Sequence, residues 1–521
     1  MRSLGLFCIL LFTSAKAQQF VPDLQFGVDG INFHQGPAEI TSAWPVELMS
    51  LPNGKYLMAS STSNNGSMVS RHLLNGDRDS SFALNGVWSM NSNQDQIRML
   101  RAMAVGSDGR IVVLFVQYSP GSDQRTALIL RVLPDGQPDP TFNMNGEVQM
   151  ALPDLAELRS ILIGPDGGLV LVGTTNGSVL AVRLEADGQL DHAFGTDGIS
   201  INAASLGPVG LNKAKFGPDG AIFVAGSLTN GLDATGSVVC KLLPSGGVDP
   251  NFGTDGFFVH DHEENVFLHE SLVDLWPAAD GSVIAAGQLS LEGIKERFHA
   301  LKLDPNGALD PDFADGGMLI SGTAPTDRNF LMDLLYDERG FFVLHGVISV
   351  QGVQNRSLFL LMNGQGEVLP DDTGESFRIL SSPDVPRFPR RMVPDQEGGF
   401  IQAMGYFQRP IGRTSLSRFQ LSWSLGTMTL PVNSADRLHT WPNPTNGTLR
   451  IDLTEPFQQQ PTITMLDPLG RMVADQSTLH WSFTGEHSIA LELPNTIAEG
   501  RYSLVMATGN ERRMAHIVVQ R

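Results

Sequence analysis

Cysteine is almost absent from this sequence, because the 521 residues contain only Cys8 and Cys240. Cys8 lies in an apolar N-terminal run that we expect to be removed, so the mature chain cannot form an intramolecular disulfide. A chain of this length without disulfides must be stabilised by a large apolar core, and 41% of its residues are hydrophobic. The same content argues against intrinsic disorder.

Long apolar runs are absent after the first residues. Arg2 precedes an apolar run over 4–12, and the small residues that follow end in Ala15-Lys16-Ala17, an order typical of a secretory signal peptide with its cleavage site. The run is too short to span a bilayer, and Cys8 lies inside it, away from the position of a lipid-acceptor cysteine. We predict a signal peptide at residues 1–17, an exported protein and no transmembrane segment.

Basic residues are also scarce, since 35 Lys and Arg stand against 55 Asp and Glu, for a formal charge of −20. Removal of Arg2 and Lys16 with the signal lowers the charge by two, to −22. Such a surface repels nucleic acid and anionic lipid, so we predict no nucleic-acid partner. The 55 Gly and 31 Pro favour a turn-rich all-β protein, and the length allows two or more domains.

Enzyme motifs are missing too: no HExxH, GxSxG, Walker or Rossmann pattern occurs in a suitable context. The densest polar cluster contains His260, His262 and Glu263, which are candidate metal ligands. A solvated loop explains this cluster better, because sequential neighbours on a strand point to opposite faces. Repeated Asp-Gly pairs suggest calcium, but they lack the alternating acidic series of calcium loops and have the usual composition of tight turns. We therefore expect no cofactor.

What the sequence does contain is a repeat. A hairpin-turn glycine recurs every 53 to 61 residues, at Gly54, Gly109, Gly167, Gly220, Gly281, Gly340 and Gly398. The third unit has apolar segments over 161–163, 169–172, 179–184 and 199–201, with turn residues between them. Four strands in about 58 residues correspond to one blade of a β-propeller.

Each unit also carries a segment of the form LDxxFGxxG between its third and fourth strands, which we call the tail. Its aromatic position recurs at Phe26, Phe82, Phe142, Phe194, Phe252 and Phe313, whereas Phe377 matches poorly. In its hairpins and tails, residues 20–424 resemble the Delta-60 repeat family of β-propellers. The resemblance implies an all-β fold, and the count of units predicts a seven-bladed propeller over residues 18–424 whose tail phenylalanines pack between blades.

The two ends of the repeat region predict how the ring closes. The chain begins with a lone tail over 23–33, before any hairpin, whereas the seventh unit has a third strand near 416–421 but no tail. We predict that the N-terminal tail supplies the missing outer strand of the last blade, which leaves no open blade edge.

The repeat stops after a predicted linker at residues 425–439. Short alternating strands over 440–521 predict a small immunoglobulin-like β-sandwich. In order and spacing this segment resembles the type A sorting domain of the type IX secretion system, through Trp441, Pro442, Asn443, Pro444, Gly470, Arg471, Gly500, Tyr502 and the basic end at Arg521. Trp441 stands where tyrosine or phenylalanine is usual. The resemblance implies that these residues form a sorting signal for the translocon and sortase machinery, with usual removal of the domain and attachment to the cell surface.

The lengths of the loops indicate which face of the propeller binds a partner. In a four-stranded unit the hairpin turn and the tail share one face, the turn face, while the second loop and the connection between units share the other, the loop face. Turn-face segments are regular, whereas loop-face segments vary in length, as in 174–177 against 288–297.

We therefore predict a secreted or cell-surface, non-enzymatic propeller that binds a protein or glycan partner through the loop face. The alternative is a secreted hydrolase or lyase acting on polysaccharide. Such an enzyme needs carboxylates from different units that converge on the centre of the ring. The polar side chains at the centre distinguish the two hypotheses.

Overall fold

The computed structural model contains only β-strands as regular elements in the part of the chain that it describes. The chain forms two compact units, a larger one, Ala17–Tyr336 with Phe342–Trp423, and a smaller one that contains Ser424–Arg521. The described residues are 16–27, 30–35, 43–62, 66–92, 96–122, 124–205, 207–230, 233–261, 267–291, 293–337, 339–350, 355–370, 375–380, 387–396, 398–406, 413–424, 439–441, 445, 447–452, 461–466, 472–475, 478–485, 488–498, 500–508 and 511–519.

Most strands of the repeat region have four to ten residues, as expected for short hairpin-forming strands. In chain order they are β1 Lys16–Pro22, β2 Ile31–Gln35, β3 Ala43–Ser50, β4 Tyr56–Thr62, β5 Ser67–His72, β6 Val87–Met90, β7 Ile97–Val105, β8 Ile111–Tyr118, β9 Thr126–Val132, β10 Glu147–Ala151, β11 Glu157–Ile163, β12 Leu169–Thr175, β13 Ser178–Leu184, β14 Ile199–Asn202, β15 Val209–Phe216, β16 Ile222–Asn230, β17 Asp233–Leu242, β18 Phe257–Asp261, β19 Phe267–Pro277, β20 Val283–Leu291, β21 Ile294–Leu303, β22 Met318–Ser321, β23 Arg328–Asp337, β24 Phe341–Ser349, β25 Arg356–Asn363, β26 Phe377–Leu380, β27 Arg387–Pro394, β28 Phe400–Tyr406 and β29 Arg413–Ser424.

These strands form antiparallel meanders in chain order. β7–β10, β11–β14 and β23–β26 are separate four-stranded sheets. The meanders β15–β18 and β19–β22 join through a parallel pair between Thr235 and Glu270. The meander β3–β6 joins β27–β29 through the pair of Ala43 and Tyr406. The predicted all-β fold with four-stranded repeat units is confirmed.

The predicted hairpin turns are present, and their glycines have the backbone conformation that the turn requires. The seven hairpin-turn glycines have φ between +78° and +92°, a region that side chains with a Cβ disfavour. In the third unit, Ile161, Leu169 and Leu171 are buried and Ile163 packs against them. The same core contains Leu114 and Ile129 of the preceding sheet, so the apolar cores lie between adjacent sheets.

Each predicted tail connects its own sheet to the next one. The tail phenylalanines Phe26, Phe82, Phe142, Phe194, Phe252 and Phe313 are 0 to 2% exposed. Each ring lies against a glycine in the turn that precedes the tail of the following unit. The packing is so close that a Cβ at Gly76 would lie 2.3 Å from Phe26 Cζ, and one at Gly188 would lie 2.9 Å from Phe142 Cε2. The phenylalanine is thus a plug between sheets, as predicted, and the glycine is required by close packing as well as by its positive φ.

The aspartate of each LDxxF tail binds a cation on the third strand of the same unit. The pairs are Arg71–Asp79, Arg131–Asp139, Arg183–Asp191, Lys241–Asp249 and Lys302–Asp310, with nitrogen–oxygen distances of 2.7 to 3.1 Å. The Arg131 guanidinium also lies 4.5 Å from the centroid of the Phe142 ring. Many of the turn-face carboxylates therefore have a structural role.

The N-terminal tail completes the last unit, as predicted. β2 pairs antiparallel with β29 from Ile31↔Ser417 to Gln35↔Arg413. β1 also pairs with β29, and the Asp23 amide donates to the Arg418 carbonyl over 2.9 Å. Phe26 then plugs against Gly76, so the same contact that links consecutive units links the N-terminal tail to the first unit.

The smaller unit contains two four-stranded sheets that share one apolar core. Its strands are β30 His439–Trp441, β31 Thr448–Asp452, β32 Thr462–Leu466, β33 Met472–Asp475, β34 His480–Gly485, β35 Ser488–Glu492, β36 Gly500–Thr508 and β37 Glu511–Val519. The sheet orders are β30-β31-β35-β34 and β33-β32-β36-β37. Ile451 and Leu491 from the first sheet pack with Met465 and Leu504 from the second.

Candidate binding site at the centre and loop face of the repeat region

The first strands of the units contact one another in cyclic order, and side chains connect them. Ser160 Oγ on β11 accepts a hydrogen bond from the Ala214 amide of β15 over 2.9 Å. Asp274 on β19 accepts one from the Leu334 amide of β23 over 3.1 Å, and Asp333 on β23 accepts one from the Met392 amide of β27 over 2.9 Å. All three acceptors lie seven residues before their hairpin-turn glycine. A first strand is a sheet edge, and these side chains satisfy backbone donors that have no strand partner.

The cycle closes between the last and the first unit. On β27, Arg391 Nε donates to the Val46 carbonyl of β3 over 2.6 Å, and its Nη1 donates to the Met332 carbonyl of β23 over 3.2 Å. Burial alone would lower the pKa of Arg391, but Asp333 and Glu47 outweigh burial and raise it. A permanently charged guanidinium thus joins three first strands.

An ion pair crosses the centre of this ring. Lys213 Nζ on β15 lies 2.8 Å from Glu47 Oε1 on β3, although β15 and β3 are not neighbours in the cyclic order. Burial acts to lower the pKa of Lys213, but the Glu47 carboxylate raises it overall. Lys215 Nζ pairs with Asp274 Oδ1 over 2.8 Å. Burial acts to raise the pKa of Asp274, but Lys215 and Lys213 lower it overall.

Carboxylates from different units thus converge on the centre, which is the arrangement that the hydrolase alternative requires. Each of them, however, has a cationic partner: Glu47 has Lys213, Asp274 has Lys215, and Asp333 has Arg391 at 3.6 Å. A glycosidase acid must hold its proton near neutral pH, which requires a raised pKa. The lowered pKa of Asp274 and the paired state of the others oppose that role.

A buried chain of polar side chains connects the centre to the joint between the last two units. His345 Nδ1 lies 2.9 Å from Asp333 Oδ2, and its Nε2 lies 2.7 Å from Gln402 Nε2. Ser357 Oγ donates to Gln402 Oε1 over 3.0 Å. Aspartate and histidine here resemble part of a hydrolase triad, but the second imidazole nitrogen meets an amide in place of a hydroxyl nucleophile, so the chain cross-links two sheets. The four residues are dispersed in sequence, and no sequence signal identifies them.

The candidate metal ligand His260 has a structural partner. It lies on β18, and its Nδ1 is 3.0 Å from Glu270 Oε1, while His299 Nδ1 is 3.7 Å from the same oxygen. Burial acts to raise the pKa of Glu270, but the two histidines lower it overall. His262 and Glu263 lie outside the described residues, so the preference for a solvated loop over a metal site stays a prediction. Among the residues that the structure describes, no group of three or more His, Cys, Asp and Glu could hold a metal ion.

The loop face is irregular, as predicted. The loop between β12 and β13 is a tight turn, with Thr175 paired to Ser178. The hairpin of β16 and β17 extends to the pair of Asn230 and Asp233 and includes a bulge. Strands of unequal length thus project on this face, whereas the turn face repeats the same contact at each unit.

The turn face has an open cavity of about 400 Å³ beside the N-terminal tail. Gln25, Gly27 and Phe33 line one side, and Asn75 and Asp77 line the other. Asn32 Nδ2 donates to Asp77 Oδ1 over 2.8 Å across it. The cavity is the crevice of the closing contact between the N-terminal tail and the first unit.

The predicted sorting residues fall in two groups, those that the structure describes and those that it does not. Trp441 ends β30 opposite Arg450, Gly500 begins β36 opposite Val519, and the Tyr502 hydroxyl donates to the Ala498 carbonyl over 3.0 Å. Thr445 forms a parallel bridge with Val519, so the opening of this unit meets its last strand. Pro442, Asn443, Pro444, Gly470, Arg471 and Arg521 lie outside the described residues.

Two family models match the chain. Residues 106–142, 164–194, 217–252 and 278–313 match the β-propeller domain of unknown function DUF5122. Each match runs from just before a hairpin turn to the tail phenylalanine. Residues 439–520 match the secretion system C-terminal sorting domain. No curated protein sequence matches the chain.

Similar solved structures are distant. Prolyl oligopeptidase B from Galerina marginata, as the apo protein, is 11% identical with a TM-score of 0.42, covering 81% of this chain and 57% of its own. A protein of unknown function from Dyadobacter fermentans is 11% identical with a TM-score of 0.34, covering 63% and 96%. A GH43_1 enzyme from Xanthomonas citri is 10% identical with a TM-score of 0.30, covering 78% and 97%. The chain spans little more than half the length of the oligopeptidase, and these similarities carry no information about activity.

No helix in the described ranges is long and apolar enough to span a membrane. A C-terminal sorting domain of this family implies interaction with the secretion machinery. The chain is therefore a β-propeller protein of DUF5122 repeats with a type IX C-terminal sorting domain, which indicates export to the cell surface or the extracellular space.

Proposed function

We propose that this protein is a non-enzymatic, seven-bladed propeller that binds a protein or glycan partner through its loop face at the cell surface or after release. In this proposal a signal peptide at 1–17 and a sorting sandwich at 440–521 serve export, while residues 18–424 bind the partner. The linker at 425–439 is the site at which the sorting domain is removed.

The observation that carries this proposal is the neutralised centre of the ring. A propeller hydrolase uses a protonated and an ionised carboxyl group from different blades. Here Glu47 and Lys213 bridge the centre at 2.8 Å, and the pKa of Asp274 is lowered by its lysine partners. These carboxylates cross-link the first strands, which leaves the variable loop face as the surface that differs from unit to unit.

Binding tests the proposal directly. The full mature chain would be incubated with immobilised polysaccharides and with surface proteins of the host, and the retained protein would be measured. In one variant, the end of the β16–β17 hairpin from Thr229 to Thr235 is replaced by Asn-Gly, which shortens a loop-face projection. The control variant replaces Ala83 by Gly in a turn-face tail, where φ is +44°. We expect the loop-face change alone to weaken binding.

The hydrolase alternative gives a different result in the same panel. An enzyme would release reducing ends from a polysaccharide, and Glu47→Gln or Asp274→Asn would abolish that release in variants that are still folded by circular dichroism. Product release that depends on these carboxylates would overturn the binding proposal. Retention that survives the loop-face change would also overturn it.

A further inference from the structure

The β-bulges of the first strands lie immediately before the residues that meet at the centre of the ring, such as Glu47, Lys213 and Asp274. Bulges interrupt β3, β7, β11, β15, β19 and β27. At the bulge eight residues before each hairpin-turn glycine stand Val46, Arg101, Arg159, Asn212, Val273 and Arg390. Three are arginines and none is acidic, although acidic residues outnumber basic ones by 55 to 35 in the chain. A bulge redirects a side chain, and bulges often occur next to functional sites.

Two of these bulge arginines lie near a third arginine. Arg101 and Arg159 occupy the bulges of β7 and β11, which are neighbouring first strands in contact, and Arg125 lies just before β9. Burial, with the positive charges of Arg159 and Arg125, lowers the pKa of Arg101 against the opposing effect of Glu157. Arg125 lies 4.5 Å from the centroid of the Tyr118 ring and donates from Nη1 to the Ser122 carbonyl over 2.8 Å. We call Arg101, Arg125 and Arg159 the arginine cluster.

The arginine cluster has more hydrogen-bond donors and more positive charge than the acceptors and carboxylates around it compensate. Arg101 pairs with Glu157, which is the one carboxylate paired with the cluster among the described residues. Arg159 is exposed and has no ion-pair partner in the same set. Arg101 Nε and Arg125 Nε are buried donors without an acceptor in the described part of the chain. A buried donor without a protein acceptor is costly, and a ligand oxygen that reaches it would lower that cost.

The cationic side chains on the turn face contrast with this cluster. There Arg71, Arg131 and Arg183 are each paired with the aspartate of their tail. The cluster residues therefore differ from these repeated arginines in position and in pairing. Arg101 and Arg159 lie at bulges and Arg125 lies at the end of a loop, where the repeat places no aspartate beside them. An anion that enters the cluster would meet donors that are already in place.

We propose that the arginine cluster binds the carboxylate or sulfate groups of an acidic polysaccharide. This inference rests on the proposed function and names the chemistry of its partner. Guanidinium groups hold carboxylate and sulfate oxygens with paired N–H donors. Tyr118 beside Arg125 supplies an aromatic ring that a sugar ring can contact.

The test is calorimetric titration of the full mature chain with oligogalacturonate, heparin oligosaccharide, polyglutamate and neutral dextran. We expect the two acidic saccharides to bind and their affinity to fall as salt rises. Arg159→Gln should weaken binding about tenfold, because it removes a charge-assisted contact, and Arg159→Lys should restore part of the loss. Arg328→Gln is the control, since it removes the same charge from the loop-face end of β23, where Arg328 pairs with Glu296 at 3.5 Å. It should leave binding unchanged within about twofold.

Each contrary outcome has a distinct meaning. Equal binding of polyglutamate would overturn the polysaccharide assignment in favour of an acidic peptide. Binding of dextran that Arg159→Gln leaves intact would overturn this inference while the proposed function stands. Failure of both acidic saccharides to bind at millimolar concentration would also overturn it, and the panel of immobilised partners then tests the proposed function separately. Unchanged melting temperatures confirm that the variants are folded.

Discussion

The tail phenylalanine is the clearest place to test what holds the repeat units together. Phe142 is fully buried, its ring lies against Gly188 of the next unit, and the Asn143 amide donates to the Asp187 carbonyl across the same joint over 2.7 Å. Phe142→Ala removes the plug and leaves the backbone contact. We expect this single change to loosen the joint between two sheets.

The magnitude follows from burial. Truncation of a buried phenylalanine costs about 3 to 5 kcal/mol of stability. Loss of the contact with the Arg131 guanidinium, 4.5 Å from the ring centroid, adds less than about 1 kcal/mol. Unfolding entropy of about 2.1 cal/mol/K per residue over roughly 400 residues gives about 0.8 kcal/mol/K. A loss of about 4 kcal/mol therefore lowers the melting temperature by about 5 °C.

Differential scanning calorimetry of the full chain measures this shift, and Phe33→Ala is the matched control because Phe33 is 41% exposed. A double-mutant cycle with Gly188→Ala isolates the contact itself. The added Cβ would lie 2.9 Å from the Phe142 ring, so its cost should fall when the ring is absent. A shift no larger than that of the control, or additive effects in the cycle, would refute the plug.

Three further predictions follow from the closure, the centre and the sorting unit. Buried His34 on the closing strand has its pKa lowered to about 4 by burial and Arg78, so it is neutral in the folded state. The unfolded chain then binds the extra proton, and His34 should lower stability by about 2 kcal/mol between pH 7.5 and pH 5 in urea titrations. His72 packs against His34 and its pKa is also lowered by burial, so it adds a loss of its own. His34→Gln should therefore reduce the total loss by about 2 kcal/mol without abolishing it, and an undiminished loss in that variant would contradict the assignment. Lys213→Met should destabilise the chain by about 3 kcal/mol because it leaves Glu47 unpaired, and adding Glu47→Gln should recover most of the loss. A double variant as unstable as the single one would contradict the pairing. In a host with the type IX apparatus, a chain stopped at Asn510 lacks β37 and should accumulate in the periplasm with a folded propeller, and equal surface display of both chains would contradict the sorting role.

The sequence by itself determined the elements and their repetition. Glycines at the hairpin turns predict positive φ, and all seven have it, because this property belongs to single residues and their neighbours. The plug position of Phe142 and the pairing of Ile31–Gln35 with β29 were also predictable, since each follows from the phase of the repeat. The four elements that resemble the sorting domain stand within 81 residues of one another, so their order was readable without a structure.

Only the tertiary structure decided the chemistry of the centre and of the loop face. Lys213 and Glu47 are 166 positions apart and occupy the same place in their units, yet one is basic and the other acidic. The chain of His345 and Gln402, and the meeting of Arg101 with Arg159, likewise join residues whose types do not repeat. The physical reason is that ring closure brings the first strands of all units to one centre. The repeat fixes the direction in which each of those residues points. The residue that it contacts belongs to another unit, so the contact is determined only when the ring is closed.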